Sequence, residues 1–149
     1  MKNRRFFVIS VCLIVSFVLL SLFSNYNYPS KKAIKNGDIV VTHSGKYHLN
    51  NFFEFLEKKR NEIRIVVYTD EGDPIIKDLT RGQNDEIFYK IDNSRDKFSA
   101  RDIKKGVCSN IRQEPFSNEN MNGVFYKLDG CEGSRSNHIP LIFLENSEK

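Results

Sequence analysis

The chain has 149 residues and a formal net charge of +4, which is unevenly distributed. Six of its 23 Lys and Arg residues and none of its 19 Asp and Glu residues lie before position 36, so residues 36–149 carry a net charge of −2. A nucleic-acid-binding domain needs a basic surface on its folded part. The charge distribution therefore argues against a nucleic-acid partner and assigns the basic excess to targeting.

An uncharged apolar run, Phe6–Phe23, follows a basic N-terminal tip. As a helix rising about 1.5 Å per residue it would span roughly 27 Å, close to the ~30 Å hydrocarbon core of a bilayer. A secretory signal has a shorter apolar region and a cleavage site of the Ala-x-Ala kind, which Ser21–Tyr26 does not offer. We predict an uncleaved signal anchor over residues 1–24, with secretion after cleavage as the alternative. The tip contains Lys2, Arg4 and Arg5.

The position of the basic tip also predicts how the chain is oriented. Lys and Arg residues beside an apolar helix are retained on the cytoplasmic side, so we expect a single-pass protein of the cell membrane with its C-terminal domain outside. Residues 25–35 are polar and contain Pro29, which predicts a tether. About 114 residues then remain, 36–149, and this length suits one extracytoplasmic domain with a modest core.

The first part of this domain predicts a strand, a turn and a helix. Asp38–Thr42 is rich in β-branched residues, which favours a strand, and Gly45–Lys46 predicts the turn after it. Residues 49–56 have apolar side chains at helical spacing, with Phe55 at the margin of the stripe, and Asn51–Glu54 has capping-box spacing. This amphipathic helix should pack on a sheet. Its stripe consists of Leu49, Phe52, Phe53 and Leu56.

Three strand patterns follow, separated by short turns, which predicts an antiparallel meander. In the first of them, alternation places Ile63, Ile65 and Val67 on one face of the sheet. The three predicted strands are Glu62–Thr69, Pro74–Thr80 and Glu86–Asp92.

The rest of the chain predicts a short helical turn and three more strands. Ser99 and Asp102 have capping-box spacing for that turn. A long loop, Pro115–Asn122, separates the first two of these strands, and the last strand could pair at either edge of the sheet. The strands are Val107–Gln113, Gly123–Leu128 and Ile139–Leu144. Together the patterns predict an α+β fold with a mostly antiparallel sheet and one main amphipathic helix.

The predicted domain has two cysteines, Cys108 and Cys131, once Cys12 is assigned to the membrane helix. An even pair in an exported domain predicts a disulfide, which would stabilise the fold by about 3 kcal/mol in the chain-entropy model. Two unpaired buried thiols are the alternative. A metal site is not favoured, because no His or further Cys lies at ligand spacing near either cysteine.

Two groups of polar residues are candidate ligand or interaction sites. The carboxylates Asp70, Glu71 and Asp73 cluster at one turn and could do acid–base chemistry if burial separated their pKa values. An exposed turn favours solvated side chains instead. His43 and His48 flank a glycine turn and could bind a metal with an acid, but their spacing matches no recognised ligand set. We therefore predict no catalytic residue, metal or cofactor.

The segment Asp92–Asp96 begins like a calcium loop, with oxygen-bearing side chains at alternate positions. Its sixth position is Lys97, where an EF-hand needs Gly, and its twelfth is Ile103, where an EF-hand needs Glu. The sequence therefore excludes an EF-hand and leaves weak calcium binding as an alternative.

Seven segments of the domain form a characteristic series. They are NGDIV, HSGK, FLEKKR, RIVVYTDEGDPIIKDL, EIFYKIDNSRDKFS, GVCSNI and YKLDGC. Together they resemble a family of small Gram-positive proteins of unknown function, which are secreted or membrane-anchored and often lipid-attached. The resemblance covers roughly Asn36 to Cys131 and is most specific in YTDEGDPI, in DNSRDKF and in the two cysteines. It implies export and a disulfide, and it implies no activity, ligand or catalytic residue.

Two function classes follow from these patterns. The preferred hypothesis is a non-enzymatic extracytoplasmic module, anchored in the membrane by Phe6–Phe23, which binds or regulates another envelope protein. The alternative is an envelope hydrolase or metal-dependent enzyme that uses the Asp70–Asp73 turn with His43 or His48.

Overall fold

The computed structural model of the chain describes residues 28–119, 121–132 and 138–145. Within these ranges the chain forms two helices and eight strands. The helices are α1 (Ser30–Lys35) and α2 (Leu49–Leu56). The strands are β1 (Ile39–Thr42), β2 (Gly45–Tyr47), β3 (Glu62–Tyr68), β4 (Pro74–Arg81), β5 (Ile87–Asp92), β6 (Ile103–Ser117), β7 (Asn122–Cys131) and β8 (His138–Glu145).

The eight described strands form one sheet in the order β2-β1-β3-β4-β5-β6-β7-β8. Neighbouring strands are antiparallel with one exception, because β1 and β3 run parallel. The chain passes through β2 and α2 between them, as a parallel pair requires a crossover connection. The described residues are mostly sheet with two short helices. The predicted antiparallel character of the sheet is confirmed, and so is the meander of β3, β4 and β5. The closing strand, β8, pairs with β7.

One face of the sheet, called the inner face below, holds the main core against α2. Phe52 and Phe55 of α2 are fully buried there, and the Phe52 ring meets Tyr126 of β7 edge to face with 5.0 Å between centroids. The alternation in β3 places Ile63 and Ile65 in this core, as predicted. Burying a phenylalanine side chain stabilises a fold by about 1.5–3 kcal/mol, so α2 is an important cover of the sheet. Other core residues include Ile39, Leu79, Ile87, Ile91, Leu128 and Leu141.

The opposite, outer face is partly covered by α1, whose fully buried Ala33 is small enough for a close approach to the sheet. The hydroxyl of Tyr68 donates a hydrogen bond to the Tyr28 carbonyl at 2.6 Å, which fixes the chain to this face before α1 begins. The described part of the predicted tether, residues 28–35, is therefore folded onto the sheet. The side chains that pack with Ala33 are Val40, Val66 and Ile76.

The predicted membrane anchor, Phe6–Phe23, lies outside the described residues, and so does Cys12. Among the helices in the described ranges, none has the length and apolar character needed to cross a membrane. The anchor and the orientation of the chain therefore stay predictions.

The sheet curls so far that β8 approaches β4, although three strands lie between them. Lys77 of β4 donates hydrogen bonds to the carbonyl oxygens of Pro140 at 3.0 Å and Leu141 at 2.7 Å. A bulge in β8 accounts for two successive acceptors, because Tyr126 pairs with Ile142 and the next residue of β7 pairs with Pro140. Burial lowers the pKa of Lys77 from 10.5 to about 8. One amino group on the inner face thus links the two sides of the curl.

Cys108 of β6 and Cys131 of β7 lie directly opposite each other, and their sulfur atoms are at a disulfide distance of 2.07 Å. The predicted disulfide is confirmed, and it joins positions separated by 23 in the sequence. Both cysteines are buried in the main core. The bond therefore holds β6 to β7 beside the core.

Two predictions around the start of α2 are wrong. The turn falls at residues 43–44, and Gly45–Tyr47 is already strand β2. The capping box at Asn51–Glu54 is not formed, because the residue that precedes the helix is His48, in a left-handed conformation with φ of 56°. Asn51 lies inside the helix, and its side-chain amide donates to the Gly37 carbonyl at 3.0 Å.

The apolar stripe of α2 is rotated from its predicted position. Phe53, expected within the stripe, is 39% exposed, whereas Phe55, expected at its margin, is fully buried. Because the helix is only eight residues long, the shape of the curled sheet determines which of its side chains are buried.

Two predictions about the loops also need correction. The predicted helical turn at Ser99 is a loop, in which the Ser99 hydroxyl donates to the Asn93 carbonyl at 3.3 Å. The predicted loop Pro115–Asn122 is shorter, because β6 continues through Ser117. Its pairing with β7 supplies the backbone hydrogen bonds that the sequence pattern did not reveal.

Candidate functional site

The acidic turn between β3 and β4 is only partly solvated. Asp70 and Glu71 are exposed, whereas Asp73 is buried. The Asp73 carboxylate accepts hydrogen bonds from the Lys97 backbone N–H at 3.1 Å and from the Lys97 ammonium at 3.2 Å. The hydrogen bond from that N–H, together with the nearby ammonium, lowers the pKa of Asp73. Asp73 therefore fastens the loop after β5 to the turn, while the other two acids face solvent.

The two histidines lie at opposite ends of the short strand β2. His43 is exposed in the turn before β2, on the edge of the sheet where β3 ends and Asp70 follows. His48 comes directly after β2, and its Nε2 lies 3.0 Å from the Ile34 carbonyl oxygen. The structure therefore does not bring the histidines together. In the ranges 28–119, 121–132 and 138–145, no three His, Cys, Asp or Glu side chains are grouped closely enough to hold a metal ion.

The segment that resembles the start of a calcium loop is a hydrogen-bonded turn. Asp92 accepts hydrogen bonds from the N–H and hydroxyl of Ser94 and from the Arg95 guanidinium at 2.8 Å. Burial alone would raise the pKa of Asp92, but these hydrogen bonds outweigh it and lower the pKa. Asp96, which is also buried, accepts from the Phe98 N–H at 2.9 Å. These carboxylates therefore bind donors of their own loop.

An open polar cleft of about 460 Å³ lies at the end of the sheet where β3 begins and β4 ends. The turn after α1 forms one wall, and the connection from α2 to β3 forms another. We call it the polar cleft. Its lining residues are Asn36, Gly37, Asp38, Ile39, Asn51, Arg60, Glu62, Ile63, Arg64, Asp78, Leu79 and Thr80.

The centre of the polar cleft is an ion pair between Arg64 of β3 and Asp78 of β4. Their register places them directly opposite each other, and Nε and Nη2 of Arg64 donate to the two Asp78 oxygens at 2.6 and 3.2 Å. The hydrogen bond to Asp78 raises the pKa of Arg64. Such a two-bond arrangement fixes the plane of the guanidinium as well as its position. The cleft therefore presents a preoriented pair of opposite charges.

Three further hydrogen bonds shape the walls of the polar cleft. Arg60 donates to Glu54 at 3.2 Å and to the Asn51 side-chain oxygen at 3.3 Å, which holds the connection after α2 in place. The Tyr28 hydroxyl donates to Asp38, and the pKa of Tyr28 is raised by burial and by this carboxylate. The cleft thus has side chains of both charges, and hydrogen bonds hold its walls in place.

A second, smaller groove of about 290 Å³ lies between α2 and the end of β7 and β8. Phe53, the exposed phenylalanine of α2, forms part of its wall. Its other lining residues are Lys46, Leu49, Val124, Tyr126, Leu144 and Glu145. This groove has fewer polar groups than the polar cleft, and its lining is mainly apolar.

The polar cleft was not found from the sequence, because its residues come from four separate segments of the chain. One signal was available. The predicted meander pairs β3 with β4, and once Tyr68 lies opposite Pro74, as in the structure, counting back along both strands places Arg64 opposite Asp78. The contributions of Asn51 and Arg60 depend on how α2 lies across the sheet, which no local pattern indicates.

Comparison with known proteins places the chain in a family. Residues 36–122 match a family described as a domain of unknown function, DUF4362. The matched range contains α2, strands β1 to β6 and every residue that lines the polar cleft. No curated protein and no solved structure matches the chain. Because the match covers more than half of its residues, the protein belongs to the DUF4362 family, whose function is unknown.

Proposed function

We propose that this protein is an extracytoplasmic module, anchored in the cell membrane by Phe6–Phe23, which binds an envelope protein through the polar cleft. The observation that carries the proposal is the preoriented Arg64–Asp78 pair in an open cleft. Pockets for small molecules are mostly apolar and enclosed, and this cleft is neither. A charged, open cleft suits a polar segment of another protein, since charge complementarity gives such contacts their specificity.

The export and anchoring parts of the proposal rest on two observations. The Cys108–Cys131 disulfide is of the kind that persists outside the reducing cytoplasm. The apolar run Phe6–Phe23 behind a basic tip has the length and flanking charge of a signal anchor. The resemblance to secreted and membrane-anchored Gram-positive proteins agrees with both.

No contact in the described residues favours the alternative of a hydrolase or metal-dependent enzyme. That alternative needs His43 or His48 beside the acidic turn. His43 lies at the same end of the sheet as the turn but is exposed, and the fold carries His48 to the opposite end of β2. Asp73, the buried acid of the turn, is bound by Lys97. The test is to replace His43, His48, Asp70 and Asp73 together. Loss of the cellular phenotype in a chain that still folds normally would support the enzyme alternative.

The proposal is tested by site-specific photocrosslinking of the full chain in intact cells. We expect a crosslinker at the exposed cleft residue Thr80 to capture one envelope protein in stoichiometric yield. The matched control is the exposed residue Gln83, three positions along and outside the cleft lining, where no such product should form. Equal capture at both positions, or none at either, would overturn the role of the polar cleft.

A charge variant separates cleft binding from general stickiness. Replacing Arg64→Gln and Asp78→Asn together removes the ion pair. Asn keeps the shape of Asp78, and Gln is a shorter, uncharged polar side chain in place of Arg64. An exposed pair contributes only about 0–1 kcal/mol to stability, so the fold should persist while capture at Thr80 falls by about tenfold or more, as for an interface contact worth ~1.4 kcal/mol. Unchanged capture in the double variant would contradict the proposal.

A further inference from the structure

Within the described ranges, nothing covers the outer face of the sheet over β5 and β6, where two large apolar side chains are exposed. Phe88 is 46% exposed and Ile103 is 51% exposed. Between them on the same face, Lys90 and Lys105 lie directly opposite each other. We call these four residues the outer patch. Like charges at directly opposite positions destabilise a sheet, so folding alone does not account for this lysine pair.

The outer patch and α1 lie on the same face of the sheet. Directly paired residues on neighbouring strands share a face. Val66 pairs with Ile76, which in turn pairs with Asp92. Asp92 pairs with Ile103 of the outer patch. Because Val66 and Ile76 are the residues that contact Ala33 of α1, the outer patch continues the surface that α1 begins.

This combined surface is positively charged. The three lysines of α1 are exposed, while the acids next to the outer patch have partners of their own. Asp78, the cross-strand neighbour of Lys90, is bound by Arg64. Asp92 accepts the hydrogen bonds of the loop that follows β5, and that loop carries Phe98, which is 77% exposed. The lysines of α1 are Lys31, Lys32 and Lys35.

The chain that precedes α1 is too short to hold this surface far from the membrane. Tyr28 is fixed on the outer face through its hydrogen bonds with Tyr68 and Asp38. Four residues separate it from Phe23, the end of the predicted anchor. The five steps between successive Cα atoms, at no more than about 3.6 Å each, span at most roughly 18 Å. The outer face is therefore the part of the domain that a membrane anchor would place next to the lipid headgroups.

We infer that the outer patch docks on the anionic phospholipid surface of the membrane in which the chain is anchored. Lysines near a bilayer are attracted by anionic headgroups, and aromatic or aliphatic side chains between them enter the interface region. Phe88 and Ile103 provide the apolar contacts, while Lys90 and Lys105 provide the charge. The inference rests on the anchor of the proposed function, and it adds a fixed orientation of the domain on the membrane. Because Thr80 of the polar cleft pairs with Phe88, the cleft then opens beside the headgroups, and its partner is an envelope protein at the membrane surface.

The chain contains no tryptophan, so single tryptophans can report on the depth of each face. The test uses the full chain in nanodiscs that contain phosphatidylglycerol and brominated phosphatidylcholine. With Phe88→Trp, we expect a blue-shifted emission and bromine quenching that is several-fold stronger than with Phe53→Trp. Phe53 is the matched control, because it is similarly exposed but lies on α2 at the inner face. Equal quenching of the two variants would overturn the inference.

A pair of charge variants tests the role of the lysines. In the Phe88→Trp chain, Lys90→Glu with Lys105→Glu should remove most of the quenching. Lys58→Glu with Lys59→Glu changes the net charge equally at exposed positions after α2 and should leave the quenching intact. Raised salt should weaken the quenching as well, since it screens exposed charges. Quenching that survives the reversal at Lys90 and Lys105 would contradict lipid docking.

Failure of the anchor and failure of the docking give different results. A chain that elutes apart from nanodiscs made of phosphatidylcholine alone would refute the anchor in Phe6–Phe23. A chain that stays with those nanodiscs, but whose Phe88→Trp emission is neither shifted nor quenched when phosphatidylglycerol is added, would refute only the docking. The latter result would also be expected if a protein, rather than lipid, covers the outer patch.

Discussion

The two faces of the sheet differ in how completely they are covered. The inner face is packed against α2, whose Phe52 and Phe55 are fully buried, and it holds the main core. In the part of the chain that the structure describes, the outer face has only the six-residue helix α1, which covers β1, β3 and β4 and leaves Phe88 exposed on β5. The inner face therefore accounts for most of the stability. The outer face has apolar and cationic groups that the fold does not use.

The largest expected effect comes from a phenylalanine on each face. Phe52→Ala should lower the free energy of unfolding by about 3–5 kcal/mol, because it leaves a cavity against Tyr126. Phe88→Ala should lower it by only about 1 kcal/mol, since nearly half of this side chain is already in solvent. Denaturant unfolding of the full chain in a non-ionic detergent measures both. Similar losses in the two variants would show that the outer face is packed against something in the free protein.

The disulfide beside the inner core should have the next largest effect. Replacing Cys108→Ser and Cys131→Ser together should cost about 3 kcal/mol, because the unfolded chain regains the freedom of a loop between positions 23 apart. Cys12→Ser is the matched control and should leave the unfolding midpoint unchanged. If the double variant were as stable as the control, the covalent link between β6 and β7 would not matter for stability.

One lysine on each face gives a comparison through pH. Burial lowers the pKa of Lys77 to about 8 from 10.5 in the unfolded chain. Between these values the unfolded chain binds more protons than the folded chain, so the free energy of unfolding should rise with pH, by about 1–3 kcal/mol over the range. Below about pH 8 the buried charge carries its full cost.

The pH dependence is measured by denaturant unfolding at steps between about pH 7.5 and pH 10. Lys77→Met should remove the rise with pH, whereas Lys90→Met on the outer face should retain it. A rise that persists in Lys77→Met would assign the titration to another group. The series stops at pH 10 because burial raises the pKa of Tyr68 to about 12 in the folded chain. Above pH 10 this tyrosine ionises in the unfolded chain first, which would lower the free energy of unfolding and hide the effect of Lys77.

The smallest expected effect concerns the attachment of α1 to the outer face. Tyr68→Phe removes the hydrogen bond to the Tyr28 carbonyl and should cost about 1 kcal/mol. The loss should be local, so amide hydrogen exchange should accelerate in α1 and remain slow in α2. Uniform acceleration in both helices would mean that α1 is part of the global folding unit.

The sequence predicted the faces of β3 and the hairpin to β4 because alternation at Ile63 and Ile65 and the turn before Pro74 are local signals. It also predicted the disulfide from Cys108 and Cys131. It did not predict α1, since Ser30–Lys35 is short and polar, and its contacts with the sheet, such as that of Ala33, are long-range. A local sequence pattern thus predicts an element correctly when residues within that element determine its structure.

The candidate sites were harder to predict because they depend on long-range geometry. The acids at the turn looked equivalent in sequence, yet Asp73 alone is bound by Lys97, which lies 24 positions away. Lys77 follows two isoleucines in a strand pattern, and nothing local indicates that the carbonyls of Pro140 and Leu141 will receive it. The Arg64–Asp78 pair was within reach of hairpin counting, whereas the walls of the polar cleft were not.

The anchor and the disulfide can be tested together by measuring the intact mass of the chain purified from the membrane fraction of cells, with and without reductant. Both proposals require an uncleaved anchor and an oxidised outer domain. We expect the full-length mass and a gain of about 2 Da on reduction, as one disulfide takes up two hydrogens. A shortened chain would contradict the anchor formed by Phe6–Phe23. A full-length chain with no mass gain would contradict export of the domain that contains Cys108 and Cys131.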